Sequence, residues 1–315
     1  YKRQMLRFVP MFGGKGIWIS VFLSVSAYCN AGFDILGFLK PDASLELFVG
    51  DPLVCLTICC LIILGGIGFI VTVDLYNWGR KRVRKEERRP HLTLHTRIVL
   101  VSTASLLVLG TVLTLGLEYD HTLKNLNFWE KLNASFFQSV TARTAGYATI
   151  PQGELGDATK LVTIILMFIG ASPSSTGGGI KTTTFVVLVA TVVSISRGRD
   201  ETVINKRRVD KSVVYRAMTI VAMAFLVIAI TSGVIMVTTP PEVSAIDAVY
   251  EAVSAFGTVG LTTGLTPDLS IVAKILVMLT MFIGRVGPIS LVLALTMKHS
   301  GGPGKILPEG KVIVG

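Results

Sequence analysis

The stretch S-A-Y-C-N-A-G-F at residues 26–33 recurs as S-A-F-G-T-V-G-L at residues 254–261, and the pattern of its last five positions recurs as R-T-A-G-Y at residues 143–147. An interval of 114 residues separates the glycines of successive copies, which are Gly32, Gly146 and Gly260. A fixed interval indicates a structural unit that is repeated along the chain. Each copy follows an amphipathic stretch too short to span a bilayer, so the repeat predicts re-entrant loops that turn carbonyl oxygens toward a permeating cation.

Hydrophobic residues make up 51% of the chain and charged residues only 16%, with a mean hydropathy of +0.65. A soluble domain averages about 25% charged residues. The charges also cluster between apolar runs longer than the ~20 residues that cross a bilayer. The composition therefore predicts an all-α polytopic membrane protein, built from units of a first span (M1), a pore helix with its loop (P) and a second span (M2).

The net charge of +10 is concentrated in two short segments. Residues 79–97 contain eight Lys and Arg against two acidic residues, and residues 197–216 contain seven against three. Residues 34–52, by contrast, contain one Lys and four acidic residues. The positive-inside rule places the two basic segments in the cytoplasm. Such segments attract anionic membrane lipids, and this distribution argues against a nucleic-acid partner.

Three M1–P–M2 units fit the chain. The predicted boundaries are residues 1–78 for the first visible unit, 79–97 for a basic loop, 98–196 for the middle unit, 197–212 for a second basic loop, 213–298 for the last unit and 299–315 for a cytoplasmic tail. Pore helices are predicted over residues 17–28, 128–142 and 244–256. The spans are predicted over residues 51–76, 98–117, 158–195, 213–237 and 269–297, with M1 of the first unit reduced to residues 1–10.

Four equivalent segments usually wall a single-file cation pore. A fourth unit before Tyr1 is therefore expected, which would make this sequence part of a longer chain with a pseudo-fourfold pore. A protein with three units is the alternative.

The loops after the pore helices are predicted to form a selectivity filter. Its residues are Cys29, Asn30, Ala31, Gly32, Arg143, Thr144, Ala145, Gly146, Gly257, Thr258, Val259 and Gly260. Glycine allows the positive φ of a sharp turn and lets an ion approach the backbone. The alternative is that these glycines are packing positions between membrane helices, but three copies in register favour the filter. Arg143 either braces neighbouring carbonyls or has no part in the filter.

A second feature is the interruption G-A-S-P-S-S-T-G-G-G-I-K-T-T-T at residues 170–184, inside an apolar region of about 35 residues. Because lipid does not tolerate unpaired backbone groups, this break must lie within protein or face a water-filled cavity. We expect a gate over residues 170–182, below the filter, formed by Gly177, Gly178, Gly179, Ile180 and Lys181. The segment lacks the glycine that precedes lysine in a phosphate-binding loop, so nucleotide binding is rejected.

Arg285 lies in G-R-V-G-P within the last predicted span. A guanidinium group in a membrane helix normally faces the bundle interior, where Arg285 is expected to form an electrostatic barrier or to hold the gate loop. The alternative, for Arg285 and Lys181 alike, is a side chain that extends to the cytoplasmic interface. No acid–base pair, zinc cluster or activated nucleophile is recognisable, so the chain is not predicted to be an enzyme.

The chain resembles the Trk/Ktr/HKT superfamily of potassium transporters, with the membrane subunit of bacterial Ktr systems as the best match. The resemblance rests on the three loops, the G-G-G-I-K-T-T-T interruption and the I-G-R-V-G-P segment. The resemblance implies K⁺ at the filter carbonyls, a homodimer in the bacterial plasma membrane, and a cytoplasmic RCK-type ring that binds the nucleotide in place of this chain. It assigns the gate to residues 170–182 and Arg285. The apolar tail is expected to contact the second protomer through Gly315.

K⁺ uptake gated from the cytoplasm is thus the predicted function. Na⁺ coupling is known in this superfamily, but no residue of the chain decides it. Two alternatives remain: a Trk-type subunit with an NAD-responsive partner, and a membrane scaffold or enzyme in which the glycines serve only for packing.

Overall fold

The computed structural model describes residues 1–41, 44–84, 91–199, 201–239 and 243–287, and these residues are mainly helical. The helices are α1 (Lys2–Phe12), α2 (Gly14–Tyr28), α3 (Pro52–Gly66), α4 (Phe69–Val83), α5 (Leu94–Glu118), α6 (Phe128–Thr141), α7 (Asp157–Phe168), α8 (Thr182–Ser196), α9 (Lys211–Thr238), α10 (Ala245–Gly257) and α11 (Ile271–Val286). A small antiparallel pair, β1 (Val203–Ile204) and β2 (Arg207–Arg208), lies between α8 and α9.

Polar residues at the helix starts explain several of these boundaries. Asp51 accepts hydrogen bonds from the amides of Leu53 and Val54 at 3.1 and 3.4 Å, with Pro52 at the first helical position of α3. Thr93 and Ser270 cap α5 and α11 in the same way. Each cap satisfies amides that the helix itself leaves unpaired, so these side chains determine where the apolar helices begin.

By length and composition, α5 (25 residues) and α9 (28 residues) could each cross a membrane, and the bent pair α3–α4 is a third candidate if it is one broken span. Large apolar side chains are exposed along them, such as Val108 (64%) on α5 and Leu226 (62%) on α9. Apolar surface of this extent is typical of a face that contacts lipid. The fold class predicted from the sequence agrees with these features.

Of the three helices that precede the loops, α10 and most of α6 are buried in the helix assembly, whereas α2 is buried on one side and exposed on the other, at Trp18, Val25 and Tyr28. One hydrophobic cluster packs α2, α3 and α6 together and includes Leu23, Ile58 and Phe137. A second cluster packs α7, α9, α10 and α11 together and includes Met167 and Phe256. These helices are thus held by the helices packed around them, and the loops that follow them are part of the same packing: Ala145 and Tyr147 belong to the first cluster, and Val259 and Leu261 to the second.

The structure differs from the sequence prediction in the second span of the first unit. The stretch predicted as one span over residues 51–76 is two helices, α3 and α4, bent by 97°. Gly68 at the bend has a φ of 89°, a backbone conformation that glycine adopts at little cost. The helices also continue into the predicted basic loop, because α4 extends to Val83 and α5 begins at Leu94.

Candidate ion pathway

The three predicted filter glycines meet in space. Gly32, Gly146 and Gly260 have φ angles of 72°, 86° and 91°. A Cβ atom built on Gly146 would lie 3.4 Å from the Cα atoms of both Gly32 and Gly260, and it would overlap the carbonyl oxygen of Val259. A Cβ atom on Gly32 would likewise overlap the carbonyl oxygen of Ala145. The positive φ favours glycine at all three positions, and the close approach of a neighbouring carbonyl also requires it at Gly32 and Gly146.

The three loops share a second conformational feature. The residue two positions before each glycine also has a positive φ, with 51° at Asn30, 72° at Thr144 and 49° at Thr258. This conformation is uncommon for residues other than glycine, and asparagine is enriched in it. Its recurrence at the same step of each copy means that the repeat in the sequence is also a repeat in backbone geometry.

A hydroxyl group from the end of each short helix secures the loop that follows. Ser26 donates to the carbonyl of Phe33 at 2.8 Å, and Ser254 donates to the carbonyl of Leu261 at 2.6 Å. In the middle unit Thr141 donates to the carbonyl of Tyr147 at 2.6 Å. The sequence analysis did not assign these hydroxyls a role, although both serines stand first in the repeated motif.

Two contacts link the first loop to the middle loop. The Tyr147 hydroxyl donates to the carbonyl oxygen of Phe33 at 3.1 Å, and the side-chain amide of Asn30 lies 3.3 Å from the Thr144 hydroxyl. Tyr147 and Asn30 are buried, so these contacts are shielded from solvent. They fix the separation of the two loops through side chains rather than through backbone pairing.

The remaining filter residues differ in exposure along the row of loops. Cys29 and Ala31 in the first loop are exposed, as is Gly260 in the last, whereas Ala145 in the middle loop is buried. Among the described residues, a Cβ atom on Gly260 would meet only the Cα atom of Gly146, at 3.6 Å. The middle loop is therefore enclosed by the other two, whereas the first and last loops are each exposed on the side that faces away from the middle loop.

A cavity of about 620 Å³ lies at the mouth of the three loops and is lined by all three filter glycines. The carboxylates of Asp34 and Glu46 also line it, and Glu46 pairs with Lys40 at 3.2 Å. Beside it the buried Glu251 accepts hydrogen bonds from the Thr262 hydroxyl, the Thr263 amide at 3.2 Å and the Thr266 hydroxyl at 3.1 Å. Glu251, another residue that the sequence analysis missed, holds the segment that leaves the last filter loop.

The predicted gate segment is a folded loop between α7 and α8. A parallel bridge pairs Ile169 with Ile180, and the Thr182 amide donates to the carbonyl of Ala171 at 3.3 Å, so the two ends of the loop lie together. The Lys181 ammonium donates to the carbonyl of Gly177 at 2.6 Å. The interruption expected over residues 170–182 is thus an ordered structure with its own hydrogen bonds.

This loop packs directly against the filter residues. A Cβ atom on Gly177 would overlap the Thr144 hydroxyl, and one on Gly178 would overlap the Thr258 hydroxyl. A Cβ atom on Gly179 would lie 3.3 Å from the Cα atom of Gly257. The run of three glycines is therefore explained by close contact with the middle and last loops.

The bend between α3 and α4 holds the other side of the gate loop. The amides of Ser172 and Thr176 donate to the carbonyls of Gly66 and Gly65 at 3.1 and 3.3 Å. The Thr176 hydroxyl also donates to Gly65 at 3.2 Å, and the Phe69 amide donates to the carbonyl of Ser174 at 2.9 Å. Backbone groups that the bend leaves without helical partners are thereby satisfied by the gate loop.

The two arginines that were predicted to act at the filter and the gate differ in their surroundings. Arg143 is buried and donates to the Thr103 hydroxyl of α5 at 3.4 Å, rather than to filter carbonyls. Arg285 is exposed in the last turn of α11 and, among the described residues, makes no hydrogen bond to the gate loop. It lies close enough to Lys181 for the two positive charges to repel. Gly315, the predicted dimer contact, lies outside the described residues.

Known proteins resemble the chain over nearly its whole length. A family model described as the cation transport protein TrkH matches residues 5–302. The chain is 38% identical over 313 residues to the Ktr system potassium uptake protein B of Bacillus subtilis. It is 39% identical over 315 residues to the potassium/sodium uptake protein NtpJ of Enterococcus hirae.

Each of these two alignments covers 98% of the chain and 66% of the relative, so the chain spans just under two thirds of their length. The crystal structure of the potassium transporter TrkH from Vibrio parahaemolyticus matches with a TM-score of 0.71 at 17% identity. That match covers 95% of this chain and 63% of the other. The likeness establishes a shared fold.

Proposed function

The chain belongs to the TrkH family of cation transport proteins, and from this membership we propose that it forms the ion-conducting part of a potassium uptake system. The family consists of transporters and not of enzymes, which agrees with the prediction from the sequence. The chain is a multi-pass protein of the bacterial plasma membrane. K⁺ is the proposed substrate because one relative is named for potassium uptake, and Na⁺ is a second candidate because the other is named for both ions.

The observation that carries this proposal is the convergence of Gly32, Gly146 and Gly260 at the base of the mouth cavity. Each glycine ends a stretch in which two residues have a positive φ, so the backbone turns sharply at the same place in each loop. Backbone carbonyls held in this way can replace the water molecules around a cation. We therefore assign ion selection to the backbone of the three loops.

We further propose that a fourth filter segment from another M1–P–M2 unit completes the ring. Gly32 and Gly146 each face a carbonyl of the next loop, whereas Gly260 faces no carbonyl among the described residues. The exposed sides of the first and last loops leave space for one more segment. With it, the pore would have the four walls that a single-file cation path normally has.

The loop over residues 170–182 is the proposed gate. It lies against the threonines of the middle and last filter loops, and its hydrogen bonds hold it there. A few bonds of about 1 kcal/mol each can be opposed by a cytoplasmic regulator that binds the open state better. A nucleotide-binding ring and a second copy of the chain are the proposed partners, and the basic segments at residues 79–97 and 197–216 are the proposed docking region for the ring.

The filter assignment is tested by Gly146→Ala in the full-length transporter, measured as K⁺ uptake in cells that lack other K⁺ uptake systems. Because the added Cβ atom overlaps the Val259 carbonyl and the φ is positive, we expect K⁺ uptake to fall at least about tenfold. Gly116→Ala on α5 is the matched control, since beyond its own stretch of helix no atom of the described residues lies within 4 Å of its added Cβ atom.

Unchanged K⁺ affinity and rate in Gly146→Ala, with a normal amount of protein in the membrane, would reject the filter assignment. That result would favour the alternative in which the glycines serve only for helix packing.

A further inference from the structure

A buried polar cluster joins the middle and last pore helices beside the mouth cavity, which Gln152 also lines. It consists of Gln138 on α6, Tyr250 on α10, and Gln152 in the segment that leaves the middle filter loop, and each is at most 5% exposed. Gln138 Nε2 donates to Gln152 Oε1 at 2.7 Å, and Gln152 Nε2 donates back to Gln138 Oε1 at 3.1 Å. The Tyr250 hydroxyl donates to the same Gln152 oxygen at 2.9 Å.

Gln152 uses its whole hydrogen-bonding capacity in this cluster. Its oxygen accepts two bonds, and its nitrogen donates to Gln138 and to the carbonyl of Ile150 at 2.8 Å. A buried polar group without partners is costly, so a fully satisfied cluster permits little variation in the positions of its members. The distance between α6 and α10 is therefore constrained at the positions of Gln138 and Tyr250.

The first and middle loops are linked differently. Between them, the Tyr147 hydroxyl donates to the carbonyl oxygen of Phe33 at 3.1 Å. The position equivalent to Tyr147 in the last unit is Leu261, which has no hydroxyl to donate. The side-chain link between the middle and last units is instead the cluster around Gln152, which joins α6 to α10.

We propose that Gln138, Gln152 and Tyr250 set the spacing of the middle and last filter loops and thereby contribute to the preference for K⁺ over Na⁺. This inference rests on the proposed function, because it takes the loops to be the filter. The three residues are positioning residues and are not assigned contact with the ion. A looser spacing lets the carbonyls close around the smaller Na⁺, so selectivity is the property that the cluster controls.

The test uses the full-length transporter with Tyr250→Phe, which removes one hydroxyl group and preserves the aromatic ring. Gln138→Met, which removes both bonds to Gln152 at similar volume, is the second variant. We expect each variant to lower the ratio of K⁺ to Na⁺ affinity about three- to tenfold, measured by Na⁺ competition with K⁺ uptake. The double variant should lower it by less than the product of the single effects, because both residues act through Gln152.

Thr280→Val is the matched control. It removes a buried hydroxyl bond of 2.7 Å between Thr231 and Thr280, which joins α9 to α11 away from the filter. We expect the control to keep the parental K⁺ to Na⁺ ratio even if it lowers thermal stability. Should Tyr250→Phe lose its protein in the membrane, Gln138→Met decides the question alone.

The inference would be overturned if the variants that reach the membrane had the same ratio of K⁺ to Na⁺ affinity as the parent. A lower rate of K⁺ uptake with an unchanged affinity ratio would also overturn it. Gly146→Ala separates this failure from failure of the proposed function. If Gly146→Ala abolishes uptake while the cluster variants keep the ratio, only the role of the cluster is rejected.

Discussion

The second spans of the middle and last units begin alike and end differently. Both contain M-F-I-G, at residues 167–170 and 281–284. In the last unit α11 continues through Gly284 to Val286, and a Cβ atom on Gly284 would overlap the Phe256 carbonyl at the end of the pore helix. In the middle unit α7 ends at Phe168, and a Cβ atom on Gly170 would overlap the carbonyl of Gly178 within the gate loop.

The first unit follows the pattern of the last. A Cβ atom on Gly65 would overlap the carbonyl of Tyr28, which is equivalent to Phe256 in the repeat. In these two units a glycine lets the second span lie directly on the end of its pore helix. In the middle unit the folded loop takes this place. The difference teaches that the proposed gate loop is a local replacement of helix packing and not an addition outside the repeat.

The largest expected effect tests the glycine contact in the last unit. Gly284→Ala places a Cβ atom on backbone atoms of Phe256, which cannot move without shifting the pore helix. We expect a loss of about 3 kcal/mol of stability or more, measured as a lower unfolding temperature in detergent. Gly170→Ala should cost less, because its added atom meets a loop that can shift.

Gly233→Ala on α9 is the control for this pair, since in the described part of the chain its added Cβ atom has no neighbour within 4 Å outside its own stretch of helix. Equal losses of stability in Gly284→Ala and Gly170→Ala would contradict the distinction between a helix contact and a loop contact.

The second prediction concerns the gate loop itself. Deletion of residues 175–179 removes the contacts with Thr144 and Thr258 and the partner of Lys181. We expect K⁺ flux to rise several-fold and to depend less on the cytoplasmic regulator, as measured by flux into vesicles containing purified transporter with and without it. Low flux that still requires the regulator, from a deletion variant that unfolds at the parental temperature, would exclude a gating role for this loop.

The smallest expected effect comes from one hydroxyl group. Thr176→Val removes a hydroxyl that is shared between the carbonyls of Gly65 at 3.2 Å and Tyr28 at 3.3 Å, and one such donor contributes about 1 kcal/mol. The open population should therefore rise about fivefold at most, seen as higher K⁺ flux at limiting regulator. Thr57→Val is the control, because the Thr57 hydroxyl is exposed and bonds within its own helix, to Leu53. An equal change of flux in both variants would mean that the bond to Gly65 does not hold the gate.

The sequence was sufficient to predict the positions of the three loops and the break in the second span of the middle unit. The interval of 114 residues locates Gly32, Gly146 and Gly260, and the glycine run with Pro173 cannot continue a helix inside an apolar region. The structure brings these glycines together and folds the break beneath them. Local sequence is sufficient here because the turns at the glycines and the break in the helix both follow from the backbone preferences of glycine and proline.

Other features depend on contacts between distant residues and could not be predicted. The bend at Gly68 is stabilised by the gate loop about 100 residues away, so Gly65, Gly66 and Gly68 alone do not distinguish a bend from a close helix contact. The role of Arg285 as an electrostatic barrier or in holding the gate stays a prediction: its side chain is exposed, and among the described residues Lys181 forms the bond within the loop. The Tyr250–Gln152 bond joins residues 98 positions apart and leaves no periodic signal.

The three filter loops are parts of one polypeptide, and this has a consequence for how such a pore can change over generations. In a pore of identical subunits, one codon change alters every wall at once. Here it alters one wall, and the residue after the filter glycine already differs among the copies as Phe33, Tyr147 and Leu261. Natural selection can therefore adjust ion preference one wall at a time, while the glycine that shapes each turn is retained in all three.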